Sequence, residues 1–215
     1  MSTEKGGVVG VYLAAGSSRR MGSSKLLLPL GKSMVGNFAF AAALESKLDH
    51  LLVITQAGDP LDWMNPLFKG GRVGSRWTQK ESLEAWRGQA YSLKKGIECA
   101  VQREAEAVLL LLADQPFVTA GMLNELLSVF YKEKKHGKEW SFIASLHQQM
   151  ARPPVLFTKR MFPNLLKLEG DEGARQLIRN SRHDGKFVAV QAELPFYDID
   201  TQAQYEHAKG WMNDD

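Results

Sequence analysis

The 215-residue sequence lacks several features that define common classes of protein. Its single cysteine, Cys99, excludes an intramolecular disulfide framework, and the helical pattern around it predicts a thiol packed in the core. No apolar segment reaches the ~20 residues of a membrane-spanning helix, and residues 1–10 contain no signal-peptide cleavage pattern. These absences predict a cytoplasmic protein with no membrane partner.

The sequence also has little excess charge of either sign. Lys and Arg number 27 against 24 Asp and Glu, which gives a net charge of +3, and no basic stretch is interleaved with aromatic residues. Nucleic acid is therefore not an expected partner, because its binding depends on a concentrated basic surface. A small anionic substrate needs only a local group of cations.

Three familiar active-site motifs are absent. Residues 30–33 (LGKS) end like a phosphate-binding P-loop, but Leu26 stands where the first glycine is required. Gly16 is followed by two serines, so the dinucleotide fingerprint G-x-G-x-x-G is missing. The nucleophile elbow G-x-S-x-G fails because Arg20 occupies its last position. A P-loop NTPase, a dehydrogenase and a serine hydrolase are therefore not indicated.

Strand and helix patterns alternate along the first two thirds of the chain. The apolar run 107–113 is typical of a central parallel strand covered on both faces. The pattern predicts strands at 8–13, 50–55 and 107–113, helices at 34–48, 89–102 and from Thr119 as N-cap to about 134, a short helix from 59 to 66, and a loop or short strand at 70–77. Such alternation predicts an α/β fold of three layers, in which ligands bind outside the carboxyl ends of the strands.

The last third of the chain is less regular. It predicts strands at 140–146, 154–157, 187–190 and 196–199, and helices at 159–167, 171–180 and from Thr201 to about 212.

A small, polar, cationic loop follows the first strand. Residues 13–25 read LAAGSSRRMGSSK, and the small side chains at its start allow backbone N–H groups to approach a ligand closely. Arg20 and Lys25 add positive charge to the same loop. Oriented amides with two cations suit a triphosphate, so the loop predicts a phosphate site. The alternative for both cations is ordinary solvated loop charge.

Carboxylates follow the strand pattern at two further places. Asp114 ends the run of leucines, where it would meet a nucleotide-bound Mg²⁺, an ion that takes one or two protein carboxylates plus phosphate oxygens. Its alternative role is to cap the following turn. Asp198 and Asp200 would share one face of an extended strand, so either could be the second metal ligand. Their alternative is a helix cap made by Asp200 or Thr201.

These motifs together resemble those of the MobA-like nucleotidyltransferases. The loop matches L-A-A-G-x-S-x-R-M-G-x-x-K at every specified position, and further matches occur at 26–30 (LLLPL), 88–96 (GQAYSLKKG), 111–118 (LLADQPFV), 154–157 (PVLF), 170–175 (GDEGAR) and 198–201 (DIDT). Within that family the chain is most similar to molybdenum cofactor cytidylyltransferases, including purine-catabolism accessory proteins that serve xanthine dehydrogenase. The resemblance implies a three-layer Rossmann-like nucleotidyltransferase fold with a mostly parallel central sheet.

The resemblance also implies a reaction and a domain organisation. The enzyme would move CMP from CTP to the phosphate of molybdenum-molybdopterin with Mg²⁺ and release pyrophosphate, and it would support or dock onto a molybdenum hydroxylase. A single domain over 1–215 would bind nucleotide mainly through 1–118 and the acceptor mainly through 140–200. Two rivals remain, a non-catalytic protein that holds and inserts the cofactor and a nucleotidyltransferase for another phosphorylated small molecule.

The residues expected at the site follow from these matches. The expected catalytic residues are Arg20, Lys25 and Asp114, and the expected nucleotide contacts are Leu13, Ala14, Ala15, Gly16, Ser17, Ser18, Arg20, Lys25 and Ser92. The metal ligands would be Asp114 and, by resemblance to the D-I-G-T of sugar-nucleotide transferases, Asp198 with Asp200 as alternate. The acceptor contacts would be Arg152, Pro154 and Asp171, although Asp171 could equally be the N-cap of a helix.

Three details refine this expectation. Guanylyl-transferring relatives have L-A-G-G where this chain has Ala15, and its methyl group would crowd a purine, which favours CTP over GTP. Residues 151–154 read ARPP where relatives show Arg-Gly-(His or Asn)-Pro, which removes a polar group near the acceptor. Residues 202–204 read QAQ where relatives have Pro-Glu-Asp, which weakens the predicted start of the last helix.

Overall fold

A computed structural model describes residues 6–16, 21, 24–171 and 173–213. The strands are β1 Val8–Leu13, β2 Pro29–Leu30, β3 Ser33–Met34, β4 His50–Gln56, β5 Trp77–Ser82, β6 Ala107–Leu112, β7 Phe142–His147, β8 Met150–Thr158 and β9 Gly185–Ala189. The α-helices are α1 Val35–Glu45, α2 Gly71–Gly74, α3 Gln89–Gln102, α4 Ala120–Lys135, α5 Phe162–Leu165, α6 Arg175–Asn180 and α7 Gln202–Asn213.

One seven-stranded sheet runs through the molecule in the order β5-β4-β1-β6-β8-β7-β9. Its pairs are parallel except those that β8 makes with β6 and β7, which are antiparallel. The prediction of a mostly parallel sheet is confirmed. β2 and β3 form a separate hairpin, so the sequence that ends like a P-loop is a tight β-turn.

Helices cover both faces of the sheet, which is why its central strands are apolar on both sides. α1 and α4 contribute Phe40 and Leu127 to one core, while α3 contributes Leu93 and Ile97 to the other. A Cβ on Gly96 would lie 2.4 Å from Cγ1 of Val11, so a glycine is needed for α3 to approach β1 this closely. The thiol of Cys99 is buried in that second core, as predicted.

The carboxyl ends of β1 and β6 lie side by side. Leu13 and Leu112 are paired in register, and the N–H of Ala113 donates to the carbonyl of Leu13 at 3.2 Å. The segment before α7 returns to this edge, where the N–H of Ile199 donates to the carbonyl of Asp114 at 3.0 Å. Segments far apart in sequence therefore meet where the fold predicts a ligand site.

Two predicted caps and one helix agree with the structure. α3 has the predicted bounds, and the Thr119 side chain accepts from the N–H of Met122 at the start of α4. The Thr201 side chain accepts from the N–H of Gln204 at the start of α7.

Other predicted elements are wrong or shorter. The helix expected at 59–66 is replaced by turns and a 3₁₀ turn, Pro66–Phe68, because the Asp59 carboxylate accepts from the Leu61 N–H and fixes a local turn. The strand expected at 196–199 is not formed. A 3₁₀ turn, Leu194–Phe196, takes up its first residue, and the rest is an irregular segment. Further differences are a 3₁₀ turn, Lys159–Met161, before a short α5, a start of α6 four residues later than expected, and α2 and β5 in place of the loop at 70–77. β8 begins four residues earlier than expected, and α1 ends three residues earlier.

Candidate active site

A cavity of about 430 Å³ opens at the carboxyl ends of β1 and β6. It brings together most of the residues predicted to form the nucleotide site. Its lining comprises Leu13, Ala15, Gly16, Lys25, Ala85, Trp86, Gly88, Gln89, Ser92, Leu112, Asp114, Asp171 and Asp200. We call it the first cavity.

Lys25 links the two carboxylates of this cavity. Its Nζ lies 2.5 Å from Oδ2 of Asp114 and 2.8 Å from Oδ1 of Asp200. Burial alone lowers the pKa of Lys25, but the charges and hydrogen bonds of Asp114 and Asp200 outweigh it and raise the pKa above the usual value. Lys25 is a buried ammonium group, so the alternative of an ordinary solvated loop charge is wrong for this residue.

Asp114 has one oxygen without a partner. Oδ2 accepts from Lys25, while Oδ1 is buried and has no hydrogen-bond partner in the part of the chain that the structure describes. The carboxylate therefore does not cap the following turn, which was its alternative role. A buried unpaired carboxylate oxygen is costly unless a ligand completes it.

Asp198 lies beside the same group but takes a different partner. Its Oδ1 accepts from Nε2 of Gln115 at 2.8 Å, and it lines a second cavity rather than the first. Burial and the nearby charge of Asp114 raise the pKa of Asp198 to about 6, against a smaller lowering by the Gln115 hydrogen bond. The expectation that Asp198 and Asp200 share one face fails, because the strand on which it rested is not formed.

Gln204 fixes the backbone that carries Asp200. Its Oε1 accepts from the Asp200 N–H at 2.9 Å and from the Thr201 hydroxyl at 3.1 Å. The Thr201 hydroxyl in turn accepts from the Gln204 N–H at 3.3 Å, so the side chains of Thr201 and Gln204 cap the start of α7 together. α7 begins at Gln202 with this cap, and the weakening expected from QAQ stays a prediction.

The second cavity, of about 380 Å³, adjoins the first and shares Gln89, Leu112 and Asp171 with it. Arg152 and Asp171 line it, as expected of acceptor contacts. Pro154 does not, because it is buried and its carbonyl accepts from the Ser145 hydroxyl at 2.9 Å, and Pro153 takes its place on the cavity wall. The helix-cap alternative for Asp171 is wrong, since α6 begins at Arg175 with Ala174 as its N-cap.

Two loops dock tightly where the cavities meet. Gly88 has φ +134°, and a Cβ there would lie 2.2 Å from the carbonyl oxygen of Gly170. The same carbonyl accepts from the Ala90 N–H at 3.1 Å. The described residues of the GQAYS and GDEGAR segments therefore lie against each other where the two cavities meet.

The remaining predicted nucleotide contacts occupy different surroundings. Ser92 is buried and lines the first cavity, whereas Ala14 packs in the core on the other face of the sheet. The Ala15 carbonyl accepts from Nε2 of Gln56 at 3.2 Å. Ser17, Ser18 and Arg20 lie outside the described residues.

Sequence reasoning missed several lining residues. Gln115 and Gln89 stand inside the motifs LLADQPFV and GQAYSLKKG and could have been found there, and Arg175 ends GDEGAR. No pattern pointed to Trp86 or Arg179. Among the described residues no group of three His, Cys, Asp or Glu lies close enough to form a metal site by itself.

Comparison with known proteins decides the family. A model described as the MobA-like NTP transferase domain matches residues 10–186. The chain is a MobA-like NTP transferase. This transferase therefore has the fold and family of a nucleotidyltransferase, as the sequence motifs predicted. No helix in its described residues is long and apolar enough to cross a membrane.

Similar proteins span nearly the whole transferase. The purine catabolism protein PucB of Bacillus subtilis (strain 168) is 33% identical over 208 residues, 96% of this chain and 98% of PucB. The crystal structure of Rv0371c from Mycobacterium tuberculosis H37Rv matches with a TM-score of 0.75 and 25% identity, over 95% of this chain and 98% of Rv0371c. A structure of Rv0371c in complex with manganese matches with a TM-score of 0.68 and 21% identity, over 96% and 99% of the two chains.

Proposed function

We propose that this transferase moves CMP from CTP to the phosphate of a molybdopterin-type cofactor and releases pyrophosphate. The observation that carries the proposal is the meeting of Lys25, Asp114 and Asp200 in a cavity that adjoins a second, cationic cavity. The first cavity would hold the nucleotide and the second the acceptor. The similarity to PucB supports a role in purine catabolism, as would fit service to a cytoplasmic molybdenum hydroxylase.

The residues present fit a divalent metal ion. Asp114 offers a buried oxygen with no partner among the described residues, and Mg²⁺ prefers carboxylate oxygens plus phosphate oxygens and water. We propose Asp114 with Asp198, or alternatively Asp200, as its ligands. Mg²⁺ bound there would neutralise charge on the triphosphate. One or two carboxylates suffice because the nucleotide supplies further oxygens, so a ready three-residue cluster is not required.

The proposed reaction needs no protein nucleophile. An oxygen of the acceptor phosphate forms a bond to the α-phosphorus of CTP, and the bond from that phosphorus to the bridging oxygen breaks as pyrophosphate leaves. Positioning and charge stabilisation dominate such transfers. Lys25 would leave the carboxylates and contact the β- and γ-phosphates, together with Arg20 and the amides of the loop from Ala15 to Ser18. Leu13 and Ser92 would border the base and ribose.

A substrate panel tests the proposal. Purified protein is incubated with Mg²⁺ and each of CTP, GTP, ATP and UTP, with and without molybdenum cofactor, and pyrophosphate release is measured. We expect release that needs both CTP and the cofactor. Release of pyrophosphate with a sugar phosphate in place of the cofactor would show that the acceptor is a sugar phosphate. Binding of the cofactor without pyrophosphate release under any nucleotide would favour the non-catalytic carrier.

A further inference from the structure

The second cavity carries positive charge from two separate elements. Arg152 lies on β8, while Arg175 and Arg179 lie one helical turn apart on α6, and all three line the cavity. Within the described part of the chain none of the three forms a salt bridge with a carboxylate. No ion pair within the described residues therefore neutralises these three charges.

The floor of this cavity is apolar. Its lining includes the aliphatic and aromatic side chains Leu110, Leu112, Val155, Phe157 and Ile178. The cavity also has two carboxylates, Asp171 and Asp198, but Gln115 holds the second of these at 2.8 Å. Apolar side chains with an excess of guanidinium groups beside them suit an organic molecule that packs a ring face on the apolar surface and carries a negatively charged group.

The arrangement on α6 is unfavourable without such a ligand. Like charges at positions i and i+4 destabilise a helix, and α6 has only six residues over which to offset the effect. Guanidinium groups match the oxygens of a phosphate with paired, charge-assisted hydrogen bonds, which would reverse the repulsion.

We infer that Arg175 and Arg179, together with Arg152, which lines the same cavity, form an anion-binding subsite that takes a phosphomonoester group of the acceptor. The inference rests on the proposed function, because it assigns the acceptor side of the same reaction. It adds Arg175 and Arg179 to the acceptor site and gives them the role of holding the phosphate of the acceptor. A neutral alcohol or a simple sugar would not use this subsite.

Phenyl phosphate is a suitable probe because it combines an apolar ring with a phosphomonoester. Its affinity is measured by calorimetry in the full-length protein, with the first cavity filled by α,β-methylene-CTP, whose bridge cannot be cleaved. The variants are Arg175→Gln, Arg179→Gln and Arg179→Lys, and Arg182→Gln is the matched control. Arg182 is an exposed arginine just beyond α6 that lies over the Phe187 ring and lines neither cavity.

We expect each Gln variant to weaken phenyl phosphate about tenfold or more, because a charge-assisted hydrogen bond is lost. The affinity of Arg179→Lys for phenyl phosphate should lie between those of wild type and Arg179→Gln, since lysine keeps the charge but lacks the planar guanidinium group. The control should change less than about twofold, and affinity should fall from 50 to 500 mM NaCl. Affinity for α,β-methylene-CTP should be the same in all variants, which shows that they are folded.

Three results would overturn the subsite. These are unchanged phenyl phosphate affinity in the Gln variants, an equal loss in Arg182→Gln, or equal affinity of the wild type for benzyl alcohol. A failure of the proposed function looks different. In that case the wild type does not bind α,β-methylene-CTP. The affinity for phenyl phosphate without nucleotide still depends on Arg175 and Arg179.

Discussion

Replacing Lys25 by methionine should have opposite effects on metal binding and on catalysis. Methionine keeps an unbranched side chain but removes the ammonium group that joins Asp114 and Asp200. In the ligand-free protein that ammonium group stands between carboxylates where a divalent ion is proposed to bind. Without it, Mn²⁺ alone should bind more tightly, whereas transfer should fall because a phosphate contact is lost.

The size of the effect can be bounded from Coulomb's law. Nζ of Lys25 lies 2.5 Å from Oδ2 of Asp114 and 2.8 Å from Oδ1 of Asp200, and even two unit charges ~4 Å apart attract by about 4 kcal/mol at an effective dielectric constant of ~20. The Asp114 side chain is 21% exposed and that of Asp200 is 43% exposed, so solvent screens part of this attraction. If about 2 kcal/mol of this attraction competes with the metal, its removal would lower the Kd for Mn²⁺ roughly thirtyfold.

Stability should change in the same variant. Two carboxylates left without their ammonium partner should cost about 2 kcal/mol, less than a fully buried pair because both are partly solvated. For a chain of this size that lowers Tm by about 4–8 °C. Mn²⁺ at a hundred times its Kd restores about 2.7 kcal/mol.

Thermal unfolding with and without MnCl₂, and direct titration by electron paramagnetic resonance, measure both effects. Lys32→Met is the control, because Lys32 is an exposed lysine of the β2–β3 turn and lines neither cavity. If Mn²⁺ binds Lys25→Met no more tightly than wild type, the ammonium group does not hold the position of the metal and the assignment fails.

Three further predictions concern activity and pH. Asp114→Ala should lower transfer about a hundredfold or more without unfolding the protein, and a parallel assay of Asp198→Ala and Asp200→Ala should identify the second ligand by the larger loss. Ala15→Gly should shift the ratio of kcat/KM for CTP over GTP toward GTP by roughly 1–3 kcal/mol. The pKa of His50 is lowered to about 4, first by burial and then by the charges of Arg103, Arg76 and Lys80. Between pH 6.5 and 4 the wild type should therefore lose about 3 kcal/mol of unfolding free energy relative to His50→Gln, as measured by urea unfolding.

The sign of the last prediction follows from which state binds the proton. Below pH 6.5 the unfolded chain protonates His50 while the folded chain does not, so stability present above pH 6.5 is lost as the pH falls to about 4. The exposed His183→Gln should track wild type over the same range. Normal turnover in Asp114→Ala, an unchanged nucleotide ratio in Ala15→Gly, or a pH-independent difference for His50→Gln would each refute the corresponding assignment.

Local patterns predicted the parts of the structure that depend on neighbours in sequence. The bounds of α3, the Thr119 and Thr201 caps and the position of Asp114 at the end of β6 all follow from periodicity and capping rules. Lys25 was found because it is a cation in a small, polar loop after a strand and ends the motif L-A-A-G-x-S-x-R-M-G-x-x-K. These features need no knowledge of distant contacts.

Contacts between distant segments explain the rest. The split of Asp198 and Asp200 between two cavities depends on Gln115 and Gln204, and a period-two argument cannot foresee either bond. Pro154 turns into the protein because its carbonyl pairs with Ser145 on the neighbouring strand. Arg179 faces the second cavity only because α6 packs against β8, which no motif in its own segment indicates.

The bond between Lys25 and Asp200 joins residues 175 positions apart, and the Asp114 carbonyl binds the backbone of Ile199. Contacts of such long sequence separation close late in folding, because the chain entropy of a long loop must be lost first. During synthesis the sheet from β1 to β6 can assemble while the last segment is still unmade. The proposed site is therefore complete only when nearly the entire chain has emerged, because a fragment that ends before this segment lacks Asp198 and Asp200.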